Sequence, residues 1–131
     1  MKRTLTGTLL TSFVAAGLLA LSACGGSSDS SANTVPADAD VVVRAVEGIA
    51  WNESAFTATA VDGKIKIYAV NESGLAHNMY VVQGDTSEGD FIDLPRRGSD
   101  GTLVYELVPG EYHIVCKIPG HNNMNATLTV K

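Results

Sequence analysis

From residue 41 onward the chain alternates apolar and polar positions in short runs, the two-residue period of half-buried β-strands rather than the wider spacing of a helix. The runs fall at 41–46, 56–61, 64–70, 77–83, 102–108, 111–116 and 126–130. Asp62-Gly63 sits between two of them, and such a pair between alternating runs predicts a hairpin. Ile65, Ile67 and Ala69 then face the core, while Lys64 and Lys66 face water. Seven short strands separated by Gly, Pro and Asn predict an all-β fold, an antiparallel β-sandwich. The interval 84–101 reads as a long polar loop. Pro95 and its glycines argue against a strand, although Phe91, Ile92 and Leu94 could pin a helical turn. Trp51, the single tryptophan, reads as a packing residue of the core or its rim.

The first residues follow another pattern. Lys2 and Arg3 precede an apolar stretch that includes Leu9, Leu10, Phe13, Val14, Leu18, Leu19 and Leu21. Basic, then apolar, then small residues is the order of a secretory signal peptide. The stretch is too short, and too interrupted by Thr and Gly, to read as a membrane span. It ends in Leu21-Ser22-Ala23-Cys24, which resembles the lipobox of bacterial lipoproteins. That resemblance implies a diacylglyceryl group on the Cys24 thiol and cleavage before it. Residues 25–33 are small and polar, suited to a flexible tether. The expected organisation is a signal peptide over 1–23, a lipid-anchored flexible linker over 24–40 and a folded domain over 41–131.

Composition narrows the function. Without residues 1–23 the 131-residue chain retains 108, enough for one domain with one core. Part of its 45% hydrophobic content lies in the removed segment, as do two of its nine basic residues. Seven basic residues then face fourteen acidic ones, a formal charge of −7. With no basic stripe, nucleic acid is excluded as a partner.

Cys116 is the only cysteine besides Cys24, so an exported chain would carry a thiol without a disulfide partner. A small buried hydrophobe is the plain reading. Its neighbours point further: Cys116-Lys117-Ile118-Pro119-Gly120-His121-Asn122-Asn123-Met124 places thiolate, imidazole and thioether on one loop between two strands. These are donor types of a trigonal Cys-plus-two-His copper site with a weak axial Met. The second imidazole comes from His113 or His77. His113 lies three residues before Cys116, on the opposite strand face, and reads as an exposed strand residue. His77 opens a separate strand at a sheet end and is the better candidate.

Together, Val70-Asn71-Glu72-Ser73, Ala76-His77-Asn78, Val108-Pro109-Gly110-Glu111-Tyr112 and the Cys116 loop resemble the cupredoxin family of type 1 blue copper proteins, to which plastocyanin, azurin, amicyanin and auracyanin belong. The resemblance spans 41–131. It implies a Greek-key β-sandwich with one type 1 copper ion near one end. His77, Cys116 and His121 would be equatorial ligands and Met124 the axial one, with Met79 a substitute that reads more naturally as core. Asn78 would brace the cysteine loop. Leu75, Ala76, Ile118 and Pro119 would form an apolar docking patch around His121.

The function so implied is a monomeric, membrane-tethered one-electron carrier that is not an enzyme. It would work between redox proteins outside the cytoplasm, either anchored to the outer face of the cell membrane or in the periplasm. The alternative is a copper delivery or storage lipoprotein without redox cycling, for which His77-Asn78-Met79 offers a slight signal. A copper oxidase or nitrite reductase would need a second metal centre, which His113 alone cannot build.

Overall fold

The computed structural model describes residues 33–84 and 89–131. The signal segment, Cys24 and the linker as far as Ala32 lie outside the described residues. Among the described residues none is helical, and nine strands are formed. They are β1 (Val41–Val46), β2 (Ala50–Trp51), β3 (Ala55–Ala58), β4 (Lys64–Asn71), β5 (His77–Val82), β6 (Phe91–Leu94), β7 (Asp100–Glu106), β8 (Gly110–Val115) and β9 (Asn125–Val130). One sheet has the order β2-β1-β4-β7 and the other β3-β9-β8-β5-β6.

The sandwich follows from the period-two pattern. In β4 the side chains of Ile65, Ile67 and Ala69 point inward and are fully buried. From the facing sheet Met79, Leu94, Ile114 and Leu128 meet them, also without exposure. Each of the isoleucine, leucine and methionine side chains contributes about 1.5–3 kcal/mol when removed from water. Trp51 joins this cluster, and its indole N–H donates to the Ile114 carbonyl at 3.1 Å, satisfying the one polar atom it buries.

Two pairings depart from the antiparallel expectation. β1 runs parallel to β4, and β3 runs parallel to β9, so both sheets are mixed. Parallel neighbours need a long crossover between them. The excursion through β2 and β3 provides one for β1 and β4, while the intervening strands provide the other.

The same excursion changes the expected hairpin. Asp62 and Gly63 both take positive φ, 52° and 72°, and Val61 and Lys64 exchange backbone hydrogen bonds at 3.0 Å. The turn is therefore present, but its ladder is one bridge long. The strand before it, β3, belongs to the other sheet.

The described residues of the interval 84–101 are also more regular than a polar loop. Phe91, Ile92 and Leu94 form the edge strand β6 rather than a helical turn. Ile92 and Leu94 point inward and Phe91 and Asp93 outward, with Pro95 just beyond the strand, where it removes no ladder donor. β7 begins at Asp100, inside the interval.

β1 and β4 run in the same direction and finish side by side, with Ala45 opposite Asn71. In the other sheet β5 starts at His77, while β8 ends and β9 begins as Val115 and Asn125 pair. The arm before β1 starts near the loop that follows Asn71. The Asn33 side chain donates to the Gly98 carbonyl at 3.0 Å, and Gly98 N–H donates to the Asn71 carbonyl at 2.7 Å. The arm then crosses the outer side of β4, where Asp38 pairs with Lys66.

Candidate metal centre

The loop between β8 and β9 is built from two consecutive turns. In the first, His121 N–H donates to the Ile118 carbonyl at 3.0 Å, with Pro119 and Gly120 at the corners. Proline sets the first corner, and the second needs the positive φ of 90° that Gly120 adopts. In the second turn Met124 N–H donates to the His121 carbonyl at 2.9 Å. Cys116 N–H then donates to the Met124 carbonyl at 3.1 Å and closes the loop. The turns leave Lys117, Asn122 and Asn123 exposed, whereas Cys116, His121 and Met124 are buried. The Pro-Gly pair thus aims three donors to one side.

His77 meets them from the other strand. Its ring centroid lies 4.8 Å from that of His121, and Trp51 sits beyond it at 6.3 Å. The ligand atoms of His77, Cys116 and His121 lie within 4.8 Å of one another, close enough to share one ion. The Cys116 sulfur is 3.5 Å from His121 Nδ1 and has no disulfide. Burial holds the His77 imidazole below its ordinary pKa, with His121 pushing the same way and Glu47 opposing. His77 is therefore neutral at pH 7, the form that can bind a metal.

The site also passes a test of fit. His77 Nδ1 is buried with no hydrogen-bond partner. Such an orphan atom is costly in a finished protein interior and points to a missing partner. One soft thiolate and two imidazoles, with a buried thioether on the same loop, form a copper donor set.

The other residues singled out in the sequence fall as follows. Asn78 accepts the Lys117 N–H on its Oδ1 at 2.7 Å, linking the His77 strand to the cysteine loop. Met79 is fully buried in the core cluster. His113 is half-buried on the other side of β8, where its Nδ1 meets Asn125 Oδ1 at 3.0 Å. Leu75, Ala76 and Pro119 are exposed and Ile118 half-buried, while His121 is 8% exposed.

Two residues given no role in the sequence also belong to the site. Ser73 Oγ lies 2.7 Å from His77 Nε2, and Asn71 anchors Ser73 from behind. The one available signal was a polar pair four and six residues before a histidine, which an ordinary surface turn also shows.

The fold is the cupredoxin fold, and the donor set of His77, Cys116 and His121 with Met124 fits one type 1 copper ion. Among solved structures the chain is similar to a dithionite-reduced auracyanin from the photosynthetic bacterium Roseiflexus castenholzii, at 19% identity and a TM-score of 0.58, covering 70% of this chain and 95% of that one. It is similar to auracyanin B at 24% identity and a TM-score of 0.59, over 76% and 92% of the two chains. An azurin from the obligate methylotroph Methylomonas sp. strain J aligns at 14% identity and a TM-score of 0.56, over 72% and 99%. No protein-family model and no curated protein matches the sequence.

Proposed function

We propose that the chain is a membrane-tethered one-electron carrier working between redox proteins outside the cytoplasm, with His77, Cys116 and His121 as equatorial copper ligands and Met124 as the axial one. The observation that carries this reading is the buried triad with its orphaned His77 Nδ1. Bound copper would supply the one-electron couple between its two common oxidation states. The chain's own residues do the rest. The sandwich and the double-turn loop hold the donors in place, so little need rearrange between oxidation states. Burial of Cys116, His77 and Met124 keeps bulk water from these side chains. Leu75, Ala76, Ile118 and Pro119 are the residues proposed to dock a partner, with His121 bonded through its N–H to the Ile118 carbonyl. The net acidic domain favours a basic face on that partner, with association weakening as salt is added.

The tether reading rests on the lipobox-like Leu21-Ser22-Ala23-Cys24. Mass analysis of chain isolated from membranes should show cleavage before Cys24 and an added diacylglyceryl group. Cys24→Ala should release the protein from the membrane fraction.

The deciding experiment is the visible spectrum of the copper(II)-loaded chain before and after reduction. An intense thiolate-to-copper band that bleaches on reduction, and is absent from Cys116→Ser, supports the carrier. A colourless protein that binds copper(I) tightly would favour delivery or storage instead, and absence of copper binding would overturn the ligand assignment. Ile118→Lys should slow electron exchange with a protein partner while leaving the spectrum intact, and an unchanged rate would remove the docking patch.

A further inference from the structure

We infer that Asn71 and Ser73 act as a positioning relay that fixes the tautomer of His77, presenting Nδ1 as a bare lone pair before any metal arrives. The inference deepens the copper reading and rests on it for its purpose, but the tautomer belongs to the metal-free protein.

The relay can be solved one proton at a time. The Asn71 side-chain amide donates both of its protons, to the Leu75 carbonyl at 2.7 Å and to the Leu94 carbonyl at 3.0 Å. Those two acceptors fix which end of the amide is nitrogen, so Oδ1 is the atom that faces Ser73. This oxygen accepts the Ser73 backbone N–H at 2.9 Å and lies 2.9 Å from Ser73 Oγ. An amide oxygen has no proton to give, so the hydroxyl donates to it. The other acceptor near the hydroxyl, the Leu75 carbonyl, is farther away at 3.3 Å. The remaining orientation, toward His77 Nε2 at 2.7 Å, would leave Ser73 Oγ and Asn71 Oδ1 facing each other at 2.9 Å with no proton between them and would bury a proton on Nδ1 with no acceptor, so the hydroxyl proton points away from His77.

With that proton committed, Ser73 Oγ can only accept. It takes the Leu75 N–H at 3.2 Å and faces His77 Nε2 at 2.7 Å. Nε2 must therefore carry the ring proton of the neutral imidazole. Nδ1 is left deprotonated, buried and without a partner, in the ring that lies against His121. Asn71, Ser73 and His77 are all at most 1% exposed, so water does not compete for these bonds. The relay spans the turn between β4 and β5, and the Leu94 bond ties it to β6. Three strands thus hold the imidazole plane.

The test begins with the metal-free, full-length protein and needs no variant. Nitrogen NMR of the His77 ring, with couplings to its ring carbons, should show protonated Nε2 and bare Nδ1. Protonated Nδ1 as the main species would overturn the relay. Ser73→Ala should then give a mixture of tautomers and bind copper(II) about 10- to 100-fold more weakly, as loss of a partner behind a metal ligand does. Ser73→Thr, which keeps the hydroxyl, should restore both readouts. A Ser73→Ala protein with the original tautomer and affinity would also overturn the relay. If Ser73→Ala fails to fold, the wild-type spectrum and the Thr variant decide. A wild-type protein with the assigned tautomer but no copper affinity would defeat the copper reading and leave the relay standing.

Discussion

The backbone N–H of Lys117 donates to Asn78 Oδ1 at 2.7 Å, so the residue after the sulfur donor is fastened to the residue after an imidazole donor. This bond joins the start of β5 to the loop that leaves β8. Asn78→Ala should lower the stability of the metal-free protein by about 0.5–1.5 kcal/mol, the usual net worth of such a bond. It should also speed copper loss, because the cysteine loop is freed. Asn78→Asp keeps the accepting oxygen and should retain most of both. Urea midpoints and copper release to a chelator check the pair.

Met124 offers a separable test. Its side chain is buried on the loop that carries Cys116 and His121. Met124→Leu conserves volume, so the fold should lose less than about 1.5 kcal/mol. If Met124 is the axial donor proposed above, removing its thioether would destabilise the more highly charged oxidation state of a bound copper. The thiolate-to-copper band should persist while the reduction potential rises, as voltammetry would show. An unchanged potential would exclude Met124 as the axial ligand.

Trp51 gives a direct readout of loading. It is the only tryptophan, and its ring centroid is 6.3 Å from that of His77. Copper(II) held by His77 should quench indole emission in proportion to occupancy, with a break at one ion per chain in a fluorescence titration. His77→Ala should remove the quenching at that stoichiometry.

The two sheets approach closely where Gly101 in β7 faces Ile92 in β6. A Cβ at Gly101 would stand 2.7 Å from Ile92 Cγ2, well inside contact distance. Gly101→Ala should therefore cost about 1–3 kcal/mol by overpacking, read as a lower urea midpoint.

Tyr68 should shape stability at high pH. Burial, and the bond from its hydroxyl to Asp100, push its pKa up from 10.0 to about 12. The folded state thus keeps a proton that the unfolded state releases between these values. The stabilisation is complete below pH 10 and fades as pH rises toward 12. Urea midpoints across this window should fall less steeply for Tyr68→Phe than for the natural chain.

Much of the site was legible because its chemistry is local. Cys116, His121 and Met124 share one loop, and Pro119-Gly120 announces the turn that bends it. His77 could be preferred over His113 because strand alternation puts His113 and Cys116 on opposite faces. The Asn71–Ser73–His77 relay was not legible, since its direction depends on two carbonyls, one of them on β6. Likewise, the period of two could be read in 64–70, but not which strand would lie beside it. β6 was obscured by Pro95 and the nearby glycines, which mark a loop wherever the neighbouring sheet is unknown.

Alternation along the chain determined that this protein forms strands, which faces they bury and which loop carries the sulfur donor, because side-chain direction and turn chemistry are set within a few residues. Only the tertiary structure decided that β1 pairs in parallel with β4 and β3 with β9, and that His77 reaches the Cys116 loop. It alone also decided which nitrogen of His77 is left bare. Those outcomes depend on hydrogen bonds between segments tens of residues apart, whose partners no local pattern names.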